Sequence, residues 1–456
     1  MSDRAINGLS RGEWIALVSA IAIAHLFYLR IVAYPSDYDA RNYFQIAEDI
    51  DRNGLFSKFY YSDIRTYAYP FFLAMLLRAA RLLHVPIGWL MFEMQLALYL
   101  VAAYFVRRRL DALWPAFAGW AFIAIVLNVF ALSYTPESLT ESVSLSLILA
   151  TAGCWLALVA QPTWQRVLAG SVAVGAAVMV RPANLFALVA WVIGTVAVYA
   201  PQRPRPRVVG AMVIALIAGV MLPMVPQYIN NVRHYGERTP LVSAHLAHNQ
   251  QIWGIASLKY ATAMPPVPNP SIFYENPFAK AGPVDGDRPL SWYLQYPGPG
   301  AITIGLHTFN MLDQDLLFTY SRDLDPWYRI PLGIATHAIV GAALIGIVML
   351  VRRVRTDRNR ALGAIALIAF IVAHIALHAT TAVEMRFGLP LLVLAGPAAI
   401  GAIRALAHAR IRARLLAATA VICYTATALA LSDWVRQQAP SIRAWEAAHG
   451  TRHAGG

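Results

Sequence analysis

Apolar runs of about 17 to 22 residues recur along this chain from end to end, and that is the length a helix needs to cross a hydrocarbon core. The composition agrees. Of 456 residues, 58% are hydrophobic and only 13% are charged, whereas a soluble chain of this size carries roughly twice that charged fraction. The sequence therefore predicts an all-α polytopic membrane protein. The net charge of +13 does not mark a nucleic-acid partner, because the basic residues sit in short clusters between apolar runs, as the positive-inside rule places them. Cys154 and Cys423 both lie within apolar stretches, which argues for buried packing and against a disulfide framework.

The clear spans fall near 14–34, 88–106, 115–133, 138–159, 165–180, 184–199, 208–226, 330–351, 361–380, 388–404 and 413–431. The first follows Arg4 and Arg11 and contains Ala22-Ile23-Ala24, which mimics a signal cleavage site. It runs on to Ala33, too long for a signal core, so it reads as a retained span. The stretch from Pro70 to Leu83 is shorter and is interrupted by Arg78 and Arg81, as expected of an interfacial or re-entrant helix. Charge decides the count. If 70–83 does not cross and the N-terminus is cytoplasmic, Arg107 to Arg109, Arg166, Arg203 to Arg207, Arg352 to Arg360 and Arg404 to Arg414 all lie inside; a twelfth span would invert them. Eleven spans follow.

The parts are then a transmembrane unit over 1–226 with a first external loop at 35–87, a long external loop over 227–328, transmembrane helices over 329–432 and an external tail from 433 to 456. The long loop carries Pro265, Pro266, Pro268, Pro270, Pro297 and Pro299. A structureless loop of that length is unusual unless it is functional, so a partly helical cap is expected.

Charged residues gather in the external segments. Asp37 and Asp39 lie just past the first span, and Asp39 opens a stretch with Tyr43, Ile46, Ala47 and Ile50 at helical spacing. That pattern makes an amphipathic helix at the interface, with Asp39 suited to cap it. Arg65 and Tyr67 precede Pro70; an arginine here can snorkel or bind a lipid phosphate bidentately. Glu141 lies a turn inside the fourth span, where a carboxylate is expensive and functional by default. Arg181-Pro182 and Glu384-Met385-Arg386 occupy two further outer turns, and Glu384 and Arg386 are placed to pair with each other. His374 and His378, four residues apart, are read as polar packing between helices rather than metal ligands. His245, His248 and Asn249 in the long loop form a weaker polar cluster suited to a sugar. A phosphate-bearing lipid needs such arginines, and a glycosyl acceptor needs a carboxylate to take its proton.

Asp39-Ala-Arg-Asn-Tyr-Phe-Gln-Ile-Ala resembles a segment in the first external loop of the GT-C glycosyltransferases. Arg65-Thr-Tyr-Ala-Tyr-Pro is similar to their Arg-x-Pro-Gly-Tyr-Pro segment, with Ala68 where glycine is common. Thr140-Glu141, Arg181-Pro182, Tyr235-Gly236-Glu237-x-x-Pro240 and Glu384-x-Arg386-Phe387-x-x-Pro390 follow in the order of further recurrent pieces. Together they span residues 30 to about 400, and in style they are closest to protein O-mannosyltransferases and aminoarabinose transferases. The resemblance implies transfer of a sugar from a polyprenyl-phosphate donor, with inversion, to a lipid, glycan or protein acceptor on the outer face of a bacterial inner membrane. By position, the resemblance implies that Asp39 is the general base or positions the acceptor hydroxyl. It makes Arg65, Arg181 and Arg386, with Tyr67, the candidates to hold the donor phosphate, with Glu141 and Glu384 orienting those groups or the sugar. Asp37 is separated from Asp39 by Tyr38, where many relatives have adjacent acids. Only residues 432–456 follow the last expected span, where the relatives carry a large soluble domain, so acceptor recognition is expected to come from the loops 35–87 and 227–328. Metal dependence stays open, since two acids can hold Mg or Mn or neither. The competing readings are a lipid-linked saccharide flippase, which would set charges at mid-membrane among repeats, and a non-catalytic scaffold.

Overall fold

The structure is a computed structural model that describes residues 8–33, 39–58, 64–202, 205–242, 244–262, 271–318, 325–352 and 358–440. Among these, nine helices are long and apolar enough to cross a membrane. They include α1 (Arg11–Ala33), α4 (Ile87–Leu113), α7 (Glu141–Ala160), α9 (Leu185–Tyr199), α10 (Pro206–Tyr235), α14 (Arg329–Arg352), α15 (Arg358–His378), α16 (Leu389–Ala407) and α17 (Ile411–Arg436). Two shorter apolar helices, α5 (Pro115–Val126) and α8 (Trp164–Val180), stand where the remaining two apolar runs were expected. A five-residue helix α6 (Val129–Ser133) continues α5 after a break at Asn128, whose side-chain Oδ1 accepts from Ala131 N at 3.0 Å and caps the new turn.

The segment between α1 and α4 leaves and re-enters the bundle at the same end. Near one end of the bundle Arg107 of α4 grips Glu13 of α1 through two hydrogen bonds of 2.7 and 3.2 Å. Towards the other end His25 of α1 lies 3.1 Å from Glu93 of α4. The two helices are therefore antiparallel, and residues 33 and 87 sit at the same end. A single crossing by the intervening chain would have put them at opposite ends. That chain forms α2 (Asp39–Asn53) and α3 (Ala68–Leu83), packed on each other. Asp39 at the start of α2 meets Arg65 just before α3, and Asp51 near its end meets Arg78 (2.6 Å) and Arg81. The pair therefore runs side by side in one direction. The buried face of α2 is Ala40, Tyr43, Ile46, Ala47 and Ile50, the spacing its sequence shows. The two arginines of Asp51 clip α2 to α3.

The long loop is partly helical, and it also holds strands: after α11 (Ala244–Ala256) the chain forms β1 (Ser257–Thr262) and β2 (Ser271–Glu275), an antiparallel pair, before α12 (Ser291–Gln295) and α13 (Pro297–Leu312). The helix α10 continues past 227 to Tyr235. Its extra turns are polar but face protein. Asn230 donates to Leu55 O at 2.9 Å, and Asn231 donates to Thr239 O and Leu241 O, each at 2.7 Å. Gly236 then ends the helix with φ +71°, in the left-handed region that glycine adopts without strain.

Candidate functional site

Four loops meet at the end of the bundle where α2 begins. Asp39 is the first residue of α2, and its two carboxylate oxygens are divided between arginines: Oδ1 accepts from Arg65 Nη2 at 2.5 Å and Oδ2 from Arg386 Nη2 at 3.3 Å. Arg65 also donates to the Tyr43 hydroxyl at 3.0 Å. Glu141 opens α7, and its Oε1 lies 2.5 Å from Arg181 Nη1 and 3.5 Å from Arg386 Nε. Arg386 Nε donates to Glu384 Oε2 at 2.5 Å. Arg386 is thus the hub, touching all three acids.

Local sequence explains each placement. Pro182 has no N–H and forces its predecessor to be extended, so α8 stops at Val180 and Arg181 turns out with φ −150° and ψ 109°. Its guanidinium lies 4.7 Å over the Phe387 ring, a favourable cation–π position. Glu384 is extended because it pairs with β1: Tyr260 N donates to Val383 O at 2.8 Å, beside a parallel bridge between Tyr260 and Glu384. The chain then turns through Met385–Gly388. Gly388 is required there, since a Cβ would lie 1.6 Å from Met311 O.

Three guanidinium groups (Arg65, Arg181, Arg386) thus face three carboxylates (Asp39, Glu141, Glu384). Burial alone would raise the Asp39 pKa, but the charges of Arg65 and Arg386 outweigh it and hold the group below the usual carboxylate range. Asp39 is an anion at neutral pH. Glu384 goes the other way: burial, with the Glu141 and Asp39 charges added, outweighs Arg386 and pushes its pKa up. Beside Glu141, Arg181 and Arg386 lies a cavity of about 20 Å³, also lined by Ser144, Asn184 and His378. It has room for about one water, so a larger ligand must part the ion pairs.

The remaining expected residues fall as follows. Tyr67 does not join the cluster, because its hydroxyl donates to Pro223 O at 2.7 Å on the proline-containing turn of α10. His248 bonds the Gly286 carbonyl and Asn249 is exposed, so neither reaches the charges. Asp37 and the side chain of His245 lie outside the described residues. His374 and His378 stack with ring centroids 4.4 Å apart, against Phe186. Among the described residues no group of three or more His, Cys, Asp or Glu is arranged for a metal.

A second buried network was not foreseen. Lys259 is 1% exposed, with Nζ 2.9 Å from Asp315 Oδ1 and 3.6 Å from Asp313 Oδ2. Asp313 is also 3.2 Å from His337 Nε2 and accepts from Ser432 Oγ at 2.8 Å. Burial pushes the Lys259 pKa down, but Asp315 and Asp313 more than reverse it, so the ammonium stays charged. Strand alternation sends Lys259 to this network and Tyr260 to the opposite face. There burial with the Glu384 charge keeps Tyr260 a phenol, although the Arg386 charge opposes it. A lone lysine in Leu258-Lys-Tyr-Ala261 was the available signal. No known protein family, no characterised protein and no solved structure gives a significant match to this chain.

Proposed function

We propose that this is an integral membrane glycosyltransferase of GT-C type, which moves a sugar from a polyprenyl-phosphate donor to a lipid, glycan or protein hydroxyl. The single observation that carries the reading is Asp39 shared between Arg65 and Arg386, with Arg386 also touching Glu141, the partner of Arg181. A donor phosphate competes with the carboxylates for these guanidinium groups. As Arg65 and Arg386 turn to the phosphate, Asp39 is released and its basicity rises. It then takes the proton of the acceptor hydroxyl as that oxygen attacks the anomeric carbon. The bond from the anomeric carbon to the phosphate oxygen breaks with inversion, and the phosphate leaves with its electron pair, its charge held by Arg181 and Arg386. Glu141 and Glu384 keep those two arginines in place. A Mg or Mn ion fits poorly at the described acids, since each is already shared with a guanidinium that repels a dication.

The same reading places the eleven apolar helices α1, α4, α5 with α6, α7 to α10 and α14 to α17 across a bacterial inner membrane. The N-terminus is then cytoplasmic and the cluster faces outward, in keeping with the arginine-rich turns at the other end of the bundle.

The test is Asp39→Asn in the full chain, assayed with the polyprenyl-phosphate sugar identified by mass spectrometry of the co-purifying lipid. A base contributes 10²–10⁴-fold, so transfer is expected to fall at least about a hundredfold while carrier-lipid binding persists. Transfer within about tenfold of wild type, about 1.4 kcal/mol of barrier, removes Asp39 as base. Lipid movement across the bilayer without any sugar transfer would instead support a flippase.

A further inference from the structure

We propose that the groove between α14, α16 and α17, at the end of the bundle away from the charged cluster, binds one anionic phospholipid. An acyl chain fills the groove and the phosphate meets the arginines at its mouth. The groove exists because α17 packs on α14 rather than on its sequence neighbour α16. Small residues allow both contacts on α14: Gly341 faces the Tyr424 ring, and Gly346 lies against Ala398 O. The wedge left between α16 and α17 has a volume of about 530 Å³ and is lined almost wholly by apolar atoms, among them Ile345, Ile403, Leu406, Val421 and Ile422.

Its polar boundary is one-sided. Arg414 lines the groove, held in place by Nε to Ala409 O at 2.9 Å and Nη2 to Ala407 O at 2.6 Å, at the C-terminal end of α16. Arg410 and Arg412 are exposed beside it. No Asp or Glu occurs anywhere from Met385 to Ser432, nor in α14. At the groove end the three helices therefore supply arginines and no carboxylate; Asp433 of α17 lies at the far end of that helix. A cleft that is apolar inside and cationic at its rim matches an amphiphile with an anionic head, and basic pockets between membrane helices recognise such lipids. A second copy of this chain would bring the same positive rim and be repelled. A neutral lipid leaves the arginines unanswered. The inference needs only that these helices lie in a bilayer and does not depend on the transferase reading.

Native mass spectrometry of the full-length protein in detergent, with phosphatidylglycerol or phosphatidylcholine of identical acyl chains added, tests this. One phosphatidylglycerol is expected to be retained at least tenfold more tightly than phosphatidylcholine, since each arginine near a headgroup contributes about fivefold. The double variant Arg410→Gln/Arg412→Gln, which leaves the Arg414 cap intact, is expected to lose at least tenfold of that retention. Ala418→Trp is expected to lose it as well, because the ring fills the groove while every arginine remains. Circular dichroism checks that the helices persist. Equal retention of the two lipids by the unaltered protein overturns the proposal. So does retention of phosphatidylglycerol by Ala418→Trp, which would reduce the site to a surface patch of arginines, and so does a dimer that forms through this face.

Discussion

At the scale of single residues, the cluster works through competition for guanidinium groups, and its acids are unequal. Asp39 is depressed and Glu384 is raised, although both touch Arg386. The consequence for stability has a definite sign. A carboxyl group depressed in the folded state binds more protons when the site is open, so its ion pairs stabilise the closed site above the ordinary Asp range. That contribution is lost as pH falls through the depressed value. The hydrogen-exchange protection of the α2 amides, taken relative to their intrinsic exchange rate at each pH, should therefore fall on acidification below about pH 4, the ordinary Asp range. Asp39→Asn should flatten the dependence; an unchanged slope in the variant would mean that Asp39 does not hold α2 closed. The individual members of this cluster were visible in the sequence because charge is costly near lipid, so each of Asp39, Arg65, Glu141, Arg181, Glu384 and Arg386 stood out. What no sequence pattern supplied was the pairing. Glu384 and Arg386 meet each other as their spacing suggests, but that Arg386 also reaches Asp39, 347 positions away in sequence, follows only from how four loops converge.

At the scale of elements, β1 carries Lys259 with its buried acids Asp313 and Asp315 on one face, and through Tyr260 it bridges to Glu384 of the charged cluster. Removing one partner of a buried ion pair leaves an uncompensated charge and costs about 3–5 kcal/mol. Lys259→Met is expected to lower the thermal unfolding midpoint in detergent accordingly, and Lys259→Met/Asp315→Asn to regain part of the loss. If the single variant melts like the parent, Asp313 and Asp315 are not held by Lys259. Elements were legible from sequence where one rule governs them: long apolar runs made the helices, and period-3.6 spacing made α2. Legibility failed where two rules compete. Gln227, Asn230 and Asn231 follow the apolar run 208–226 and are polar, yet they extend α10: Gln227 Oε1 accepts from Tyr67 N, and Asn230 and Asn231 donate to loop carbonyls. The strands were hidden because they are two short segments separated by the proline-rich run Pro265 to Pro270.

At the scale of the whole molecule, everything rests on one parity. The arginine clusters and the charged site lie at opposite ends of the bundle, and this holds because α1 and α4 are antiparallel while α2 and α3 return the chain to the face it left. The sequence reached the same parity from the distribution of arginines, which is independent of packing, and the Glu13–Arg107 and His25–Glu93 contacts reach it from geometry. The two arguments can be tested together. In a chain whose Cys154 and Cys423 are replaced by alanine, Arg108→Cys and Asp285→Cys place thiols on exposed positions at the two ends. A membrane-impermeant maleimide added to intact cells should label position 285 and spare 108, and should reach 108 only after the membrane is opened. Labelling of both from outside would mean an extra crossing between them. Labelling of 108 alone would turn the whole bundle over and put the charged site on the cytoplasmic face, where a donor assembled on that side would meet it directly.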